Sequence, residues 1–248
     1  MKQFLQLAWT RAVFGIKSES STNRLGYLWW VIEPVLQIFA YYYVFGVLLA
    51  EFRNFGSAAS KDNYVLFLVC GVLPWVCFSK TVSRSVGTIL NGGWLIKHVA
   101  VTKLFFPVST FFQDFLKSLV VFVLLVVALL LIGATATTNW FLVSIIIVVQ
   151  GLLTLALCIL LSGIAPFFPD IRFFVPILLQ ITMFSSGVFY DISYIQEDLR
   201  SLFFLNPFAV LLDAYRTVFL GREAEIANML NRLFSVAAAS LLMLFVGI

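Results

Sequence analysis

The chain has 248 residues, of which 62% are hydrophobic and only 11% charged; its formal net charge is +4 and its mean hydropathy +1.03. This composition lies far outside soluble globular averages and indicates an integral membrane protein, with apolar runs long enough to cross about 30 Å of hydrocarbon. Nucleic-acid binding is excluded as the origin of the positive charge, because the basic residues are scattered and form no dense patch with interleaved aromatics.

In chain order, residues 3–17 come first. Phe4, Leu5, Ala8, Trp9, Ala12 and Ile16 gather on one side of a helical wheel, with Gln3, Gln6, Thr10 and Lys17 opposite. This predicts an interfacial amphipathic helix, too short and too polar to span. No short apolar core with a small-residue cleavage site is present, so no removable signal peptide is expected. Residues 18–23 read as a polar linker.

The stretch Arg24-Leu-Gly26-Tyr-Leu-Trp29-Trp30-Val-Ile-Glu33-Pro34 then opens the first apolar run. Indoles favour the headgroup layer, so the stretch reads as a doorway into the membrane. A carboxylate and a proline in its opening turns either bend the helix near the interface or face protein and water.

Span 1 is expected over 28–50, followed by a polar loop at 51–63. Span 2 is expected over 64–83, with Pro74 as an interior kink. The 84–103 segment is too polar for lipid and too long for a bare turn, so a short surface helix is expected there. It contains Arg84, Lys97, His98 and Lys103.

Span 3 runs from about Pro107 to Gly133. Asp114 and Lys117, three apart, share a face and can pair. Charges inside a span usually face a cavity or another helix, so the pair is either functional or a structural lock. If it is only a lock, exchanging the two residues should restore function.

Span 4, over 140–165, is uncharged. Its Thr154, Cys158 and Ser162 recur every fourth residue as a small-residue packing ridge. The three cysteines, Cys70, Cys77 and Cys158, all lie in apolar runs without metal-ligand spacing, which predicts buried packing and no metal site. A short turn with Asp170 and Arg172 leads into span 5, expected over 173–190.

Residues 191–225 predict two short helices. Ser193 and Gln196 resemble a capping box, while Asn206 and Pro207 form an N-cap followed by a first-turn proline, with Gly221 as the stop. In the second helix Asp213 and Arg216 stand at pairing distance. Neither helix is long enough to cross, so the pair should form a hairpin dipping into the membrane or lying on it. Span 6 follows at 226–248.

The fold class is therefore an all-α membrane protein with six spans, an interfacial N-terminal helix and a re-entrant outer hairpin. It forms one transmembrane domain, 1–248: interfacial helix and linker 1–23, spans 1–5 within 24–190, hairpin 191–225, span 6 from 226. Lys2, Arg11, Lys17, Arg24, Arg84, Lys97, Lys103 and Arg172 fall on one side, which places both termini in the cytosol. No phosphate-binding loop, metal helix or recognisable nucleophile is present, so an enzyme is not expected.

The order of these features resembles the membrane subunits of ABC transporters that export bacterial surface polysaccharides. It combines an amphipathic N-terminus, Arg24 through Trp29-Trp30, Glu33-Pro34, Phe168-Pro169-Asp170 with Arg172, and Asn206-Pro207-Phe208. The likeness covers essentially the whole chain and includes capsule, O-antigen and teichoic-acid exporters. The form Leu-Gly-Tyr-Leu-Trp followed by Glu-Pro leans toward capsule or O-antigen.

The resemblance implies a homodimer in the bacterial inner membrane, paired with two copies of an ABC ATP-binding subunit. ATP and Mg would sit on that subunit and no cofactor on this chain. It makes Arg84, Lys97 and His98 part of the main coupling loop, and Asp170 with Arg172 a second contact. A lipid-linked polysaccharide would pass between protomers, with Trp30, Tyr42, Tyr43, Asp114, Lys117, Phe184 and Tyr190 along the path and Asn206 and Pro207 at the outer exit. Two alternatives remain open at this point: an ABC permease for a small lipid or drug, and an ion-coupled carrier using Asp114 and Lys117. The carrier would call for an internal inverted repeat, of which the sequence gives no clear sign.

Overall fold

The computed structural model describes residues 2–22, 24–48, 61–92, 102–131, 133, 137–192, 196, 202–222 and 225–247. Among them, all regular structure is helical. Helix α1 is Lys2–Thr22. The first spanning unit, Gly26–Leu48, joins a 3-10 turn, helix α2 (Trp29–Tyr41) and a π-helical stretch, Tyr42–Leu48. There follow α3 (Lys61–Val86), the single turn α4 (Thr88–Asn91), α5 (Phe105–Leu131), α6 (Leu142–Ile164), α7 (Ile171–Ser185), α8 (Pro207–Phe219) and α9 (Ile226–Gly247).

Among the described residues, five units have the length and apolarity to cross a membrane: 26–48, 64–86, 105–131, 138–164 and 226–247. The segment expected as span 5 differs from expectation. Helix α7 has 15 residues, about 22 Å of rise, and stops at Ser185 instead of running to Tyr190. A turn follows it. Gly187, at φ +74°, reverses the chain there, and the Phe189 carbonyl accepts from the Tyr64 hydroxyl at the far end of α3.

Helix α3 is the centre of the bundle, touching α2, α5, α6, α7 and α8. Its Pro74 has no N–H to give, and the Pro74 carbonyl accepts from Gln150 Nε2 of α6 at 3.0 Å. The expected ridge on α6 packs inward: Thr154 and Ser162 are buried, and Cys158 Sγ meets the Thr81 carbonyl of α3. Helix α9 lies along α6, and Gly247 packs beside Ile159 and Leu160. The last described residue therefore returns to the end of the bundle that carries α1.

Helix α1 continues through the residues expected to be linker. Nothing in 18–22 breaks a helix, and the Ser20 and Ser21 hydroxyls bond back to the carbonyls of Lys17 and Ser18. It lies on α5 through Phe4, Ala8, Ala12 and Gly15, spaced at three and four. Phe4 meets Phe105 edge-on, and a Cβ on Gly15 would run into Gln113 Oε1. Leu5, Trp9 and Phe14 stay exposed. Arg11 lies over the Phe105 and Phe106 rings, where burial and then the neighbouring Arg84 lower its pKa from the ordinary arginine value.

Helix α8 is buried on almost every side, and its two charged residues, Asp213 and Arg216, both have partners there. Its first ring, Phe208, packs on Trp75 and Phe78 midway along α3, and its last, Phe219, meets Trp140 in the 3-10 turn (Thr138–Phe141) that leads into α6. The helix thus starts, at Asn206 and Pro207, beside the middle of α3 and runs toward the far end of the bundle. Asn206 Oδ1 accepts from the Phe208 N–H at 3.0 Å and its amide donates to Ser186 at 2.7 Å. Gly221, at φ +71°, closes the helix as the Arg222 N–H reaches the Thr217 carbonyl.

The proposed first helix of the hairpin falls mostly outside the described residues. Asp213 does not pair with Arg216 as its spacing suggested; it pairs with Arg232 of α9 at 3.1 Å. Asn206→Ala should destabilise the chain by about 1 kcal/mol through loss of the cap. Thermal unfolding in lipid nanodiscs reads this, and an unchanged midpoint would show the cap to be idle.

Candidate functional site

At the α1 end of the bundle, helical spacing brings charges from four elements together. Trp29, Trp30 and Glu33 sit three and four apart on α2. Lys80 and Arg84 sit one turn apart in the last turns of α3, and Asp114 and Lys117 share a face of α5. Glu19 arrives from α1.

Arg84 donates to Asp114 Oδ1 at 2.9 Å and pairs with Glu19 at 2.6 Å. Lys117 donates to Asp114 Oδ1 at 3.1 Å and also pairs with Glu19. Glu33 pairs with Lys80 one turn away.

These pairs differ in exposure, and exposure decides their energies. The Lys80 side chain is 56% exposed, so its pair with Glu33 belongs to the class worth about 0–1 kcal/mol. The Asp114 side chain is 10% exposed and has two cations on one oxygen, while Oδ2 has no hydrogen-bond partner among the described residues. Removing a partner from so buried a charge is costly.

The groups enclose a cavity of about 550 Å³, lined by Glu19, Trp29, Trp30, Glu33, Lys80, Arg84, Asp114 and Lys117, with Ser79, Thr81, Ser83 and Ser118 between them. The Lys117 ammonium stands 5.8 Å from the centre of the Trp30 ring, which Tyr27 also meets edge-on. Gly26, at φ +50°, turns the chain from α1 into this wall. Glu33 therefore faces protein and the cavity, and Pro34 is buried inside α2.

The structure thus joins residues the sequence kept separate. Trp29, Trp30, Glu33, Pro34, Asp114, Lys117 and Arg84 share one cavity, whereas Arg24 is exposed and is not part of its lining. Asp170 and Arg172 are exposed on the turn into α7, next to a second, apolar hollow formed by Phe168, Phe173 and Phe174. Lys97 and His98 lie outside the described residues.

The remaining path residues gather elsewhere. Phe184 packs on Phe189, which stacks on Phe45 at 4.3 Å; Tyr190 donates to the Phe184 carbonyl. Tyr43 is exposed and Tyr42 half-buried in the π-helical stretch. Asp114 and Lys117 belong to the α1 end and not to this aromatic group.

Sequence reasoning passed over Glu19 and Lys80. Lys80 carries the same signal that singled out Asp114, a charge inside an apolar run. Glu19 sits among serines that read as linker. It also passed over the buried chain from Pro74 through Gln150 to the Tyr215 hydroxyl, 2.7 Å from Gln150 Oε1.

Residues 8–220 match the family model described as ABC-2 type transporter. An O-antigen export system permease protein RfbA of Myxococcus xanthus is 27% identical, over 91% of this chain and 85% of that protein. A second RfbA, from Klebsiella pneumoniae, is 25% identical over 83% and 76%. The polysialic acid transport protein KpsM of Escherichia coli is 25% identical over 94% and 87%.

Proposed function

Because the chain belongs to the ABC-2 type transporter family, we propose that it is the permease subunit of an ATP-driven exporter of lipid-linked polysaccharide, O-antigen or capsule, in the bacterial inner membrane. The observation that carries this reading is the near full-length likeness to relatives named for O-antigen export and polysialic acid transport, on a chain whose described residues include five helical units of spanning length. Two copies of the chain pair with two ATP-binding subunits, which hold ATP and Mg; this chain holds no cofactor. Both termini face the cytosol, together with Arg84, the 84–103 loop and the turn at Asp170.

The coupling route follows from connectivity. Arg84 lies in the last turn of α3, directly before the loop that would meet the ATP-binding subunit, and the same helix carries the ion pairs to α1, α2 and α5. A push on the loop is therefore transmitted to the cavity. Exposed Asp170 and Arg172 give a second contact at the start of α7.

Affinity purification from native membranes in mild detergent should bring down a soluble ATP-binding protein in equal amount, and its absence from a folded chain would overturn the reading. Lys97→Glu with His98→Glu should lower retention of that protein about tenfold, roughly 1.4 kcal/mol, while thermal unfolding of the permease stays unchanged. Equal retention and equal export would remove those residues from the contact.

A further inference from the structure

The cavity at the α1 end has a chemistry that points to one kind of ligand. Its three carboxylates, Glu19, Glu33 and Asp114, are matched by Lys80, Arg84 and Lys117, so its formal charge cancels. Each cation already has a carboxylate partner. A phosphate entering here would have to displace a carboxylate, and the field gives an anion no net advantage.

A sugar ring meets no such penalty. Its hydroxyls donate to carboxylates and accept from ammonium and guanidinium groups at the same time, and the wall offers both kinds interleaved. Its C–H face also packs against the electron-rich face of an indole, and Trp29, 43% exposed, lines the same wall.

Volume and place complete the argument. At about 550 Å³ the cavity falls within the range of small-ligand pockets, about 300–1,000 Å³, with room for a short glycan but not for a polymer coil. Its wall residues Trp29 and Trp30 directly follow exposed Leu25, Tyr27 and Leu28 in the chain, and Tyr27 meets Trp30 edge-on, so the cavity stands beside side-chain types that favour the headgroup layer.

We propose that this cavity binds the uncharged glycosyl headgroup of a membrane-anchored glycolipid, with Trp29 as the stacking face and Glu33 and Lys80 as hydroxyl partners. The inference rests on the exporter reading for the direction of movement alone. It assigns recognition to the lipid-proximal sugar, ahead of any contact with the polymer or with phosphate.

The test uses the full chain in phosphatidylcholine nanodiscs doped with monoglucosyl-diacylglycerol, phosphatidylethanolamine or phosphatidylglycerol, with native mass spectrometry counting retained lipid. The wild-type chain should retain the glucolipid about tenfold over the other two. Trp29→Ala and Glu33→Gln should abolish that preference and Trp29→Phe should keep most of it. A preference for phosphatidylglycerol, for phosphatidylethanolamine or for none overturns the proposal from the wild-type chain alone, as does a glucolipid preference that survives Trp29→Ala. The two readings fail separately. Glucolipid retention by a chain that moves no glycan would sink the exporter and keep the site, whereas ATP-driven export without headgroup preference would do the reverse.

Discussion

Arg216→Met should destabilise the far end of the bundle by about 3 kcal/mol, seen as a lower unfolding midpoint and faster hydrogen exchange in residues 186–190. Arg216 is only 3% exposed and donates to the Gly187 and Val188 carbonyls, both at 2.7 Å, while its guanidinium lies 3.4 Å from the centre of the Phe67 ring. The chain has closed around it: a Cβ on Gly71 would stand 2.8 Å from Arg216 Nη2. Methionine fills similar volume but leaves two buried carbonyls without their donor, at about 1–3 kcal/mol each. Relief from burying the cation offsets part of that loss. Arg216→Lys should recover little, because a point charge cannot serve two carbonyls and a ring face together. A methionine variant within about 0.5 kcal/mol of wild type would show that the turn holds itself.

That clamp also marks where sequence reading stops. The limits of α8 were legible because caps are local: Asn206, Pro207 and Gly221 act on N–H and carbonyl groups within a few residues. The partner of Asp213 was not. Spacing offered Arg216, but Arg232 of α9 and the turn at Gly187 competed for the two charges and won through tertiary placement. Overestimating span 5 has a similar origin. The apolar run continues past Ser185, but Gly187 at positive φ turns the backbone, and the residues beyond it form a turn tied to Tyr64.

The site was legible in its parts and hidden as a whole. Trp29, Trp30 and Glu33 announce themselves by charge and indoles at an interface, and Asp114 with Lys117 by charge inside a span. That α3 stands between them, offering Lys80 to one and Arg84 to the other, depends on helix packing that no local pattern records. Glu19 was hidden by composition: a serine-rich segment reads as linker until packing on α5 extends the helix through it.

The second large effect belongs to Asp114. Asp114→Ala should cost about 3 kcal/mol, since it leaves Arg84 and Lys117 sharing Glu19 alone at a largely buried position. Exchanging Asp114 and Lys117 should not repair this, although it keeps a pair at the same spacing. The new lysine would meet Arg84 where the carboxylate stood, and the network of four would lose its centre. Failure of the exchange therefore does not by itself assign a transport role.

A double-mutant cycle isolates the contact that matters. Arg84→Gln alone should cost about 1 kcal/mol, because its side chain is 41% exposed and Lys117 continues to hold Asp114. With Asp114→Asn added, the loss should fall short of additive by about 1–2 kcal/mol, the coupling of two side chains in direct contact. Measured on export, the same cycle tells a strut from a lever. If Arg84 carries loop movement into the cavity, Arg84→Gln should lower ATP-driven export far more than its small stability cost implies, with ATP hydrolysis continuing. If export falls only in step with stability, Arg84 is a strut, and the route from the loop must run through another part of α3 or through α7.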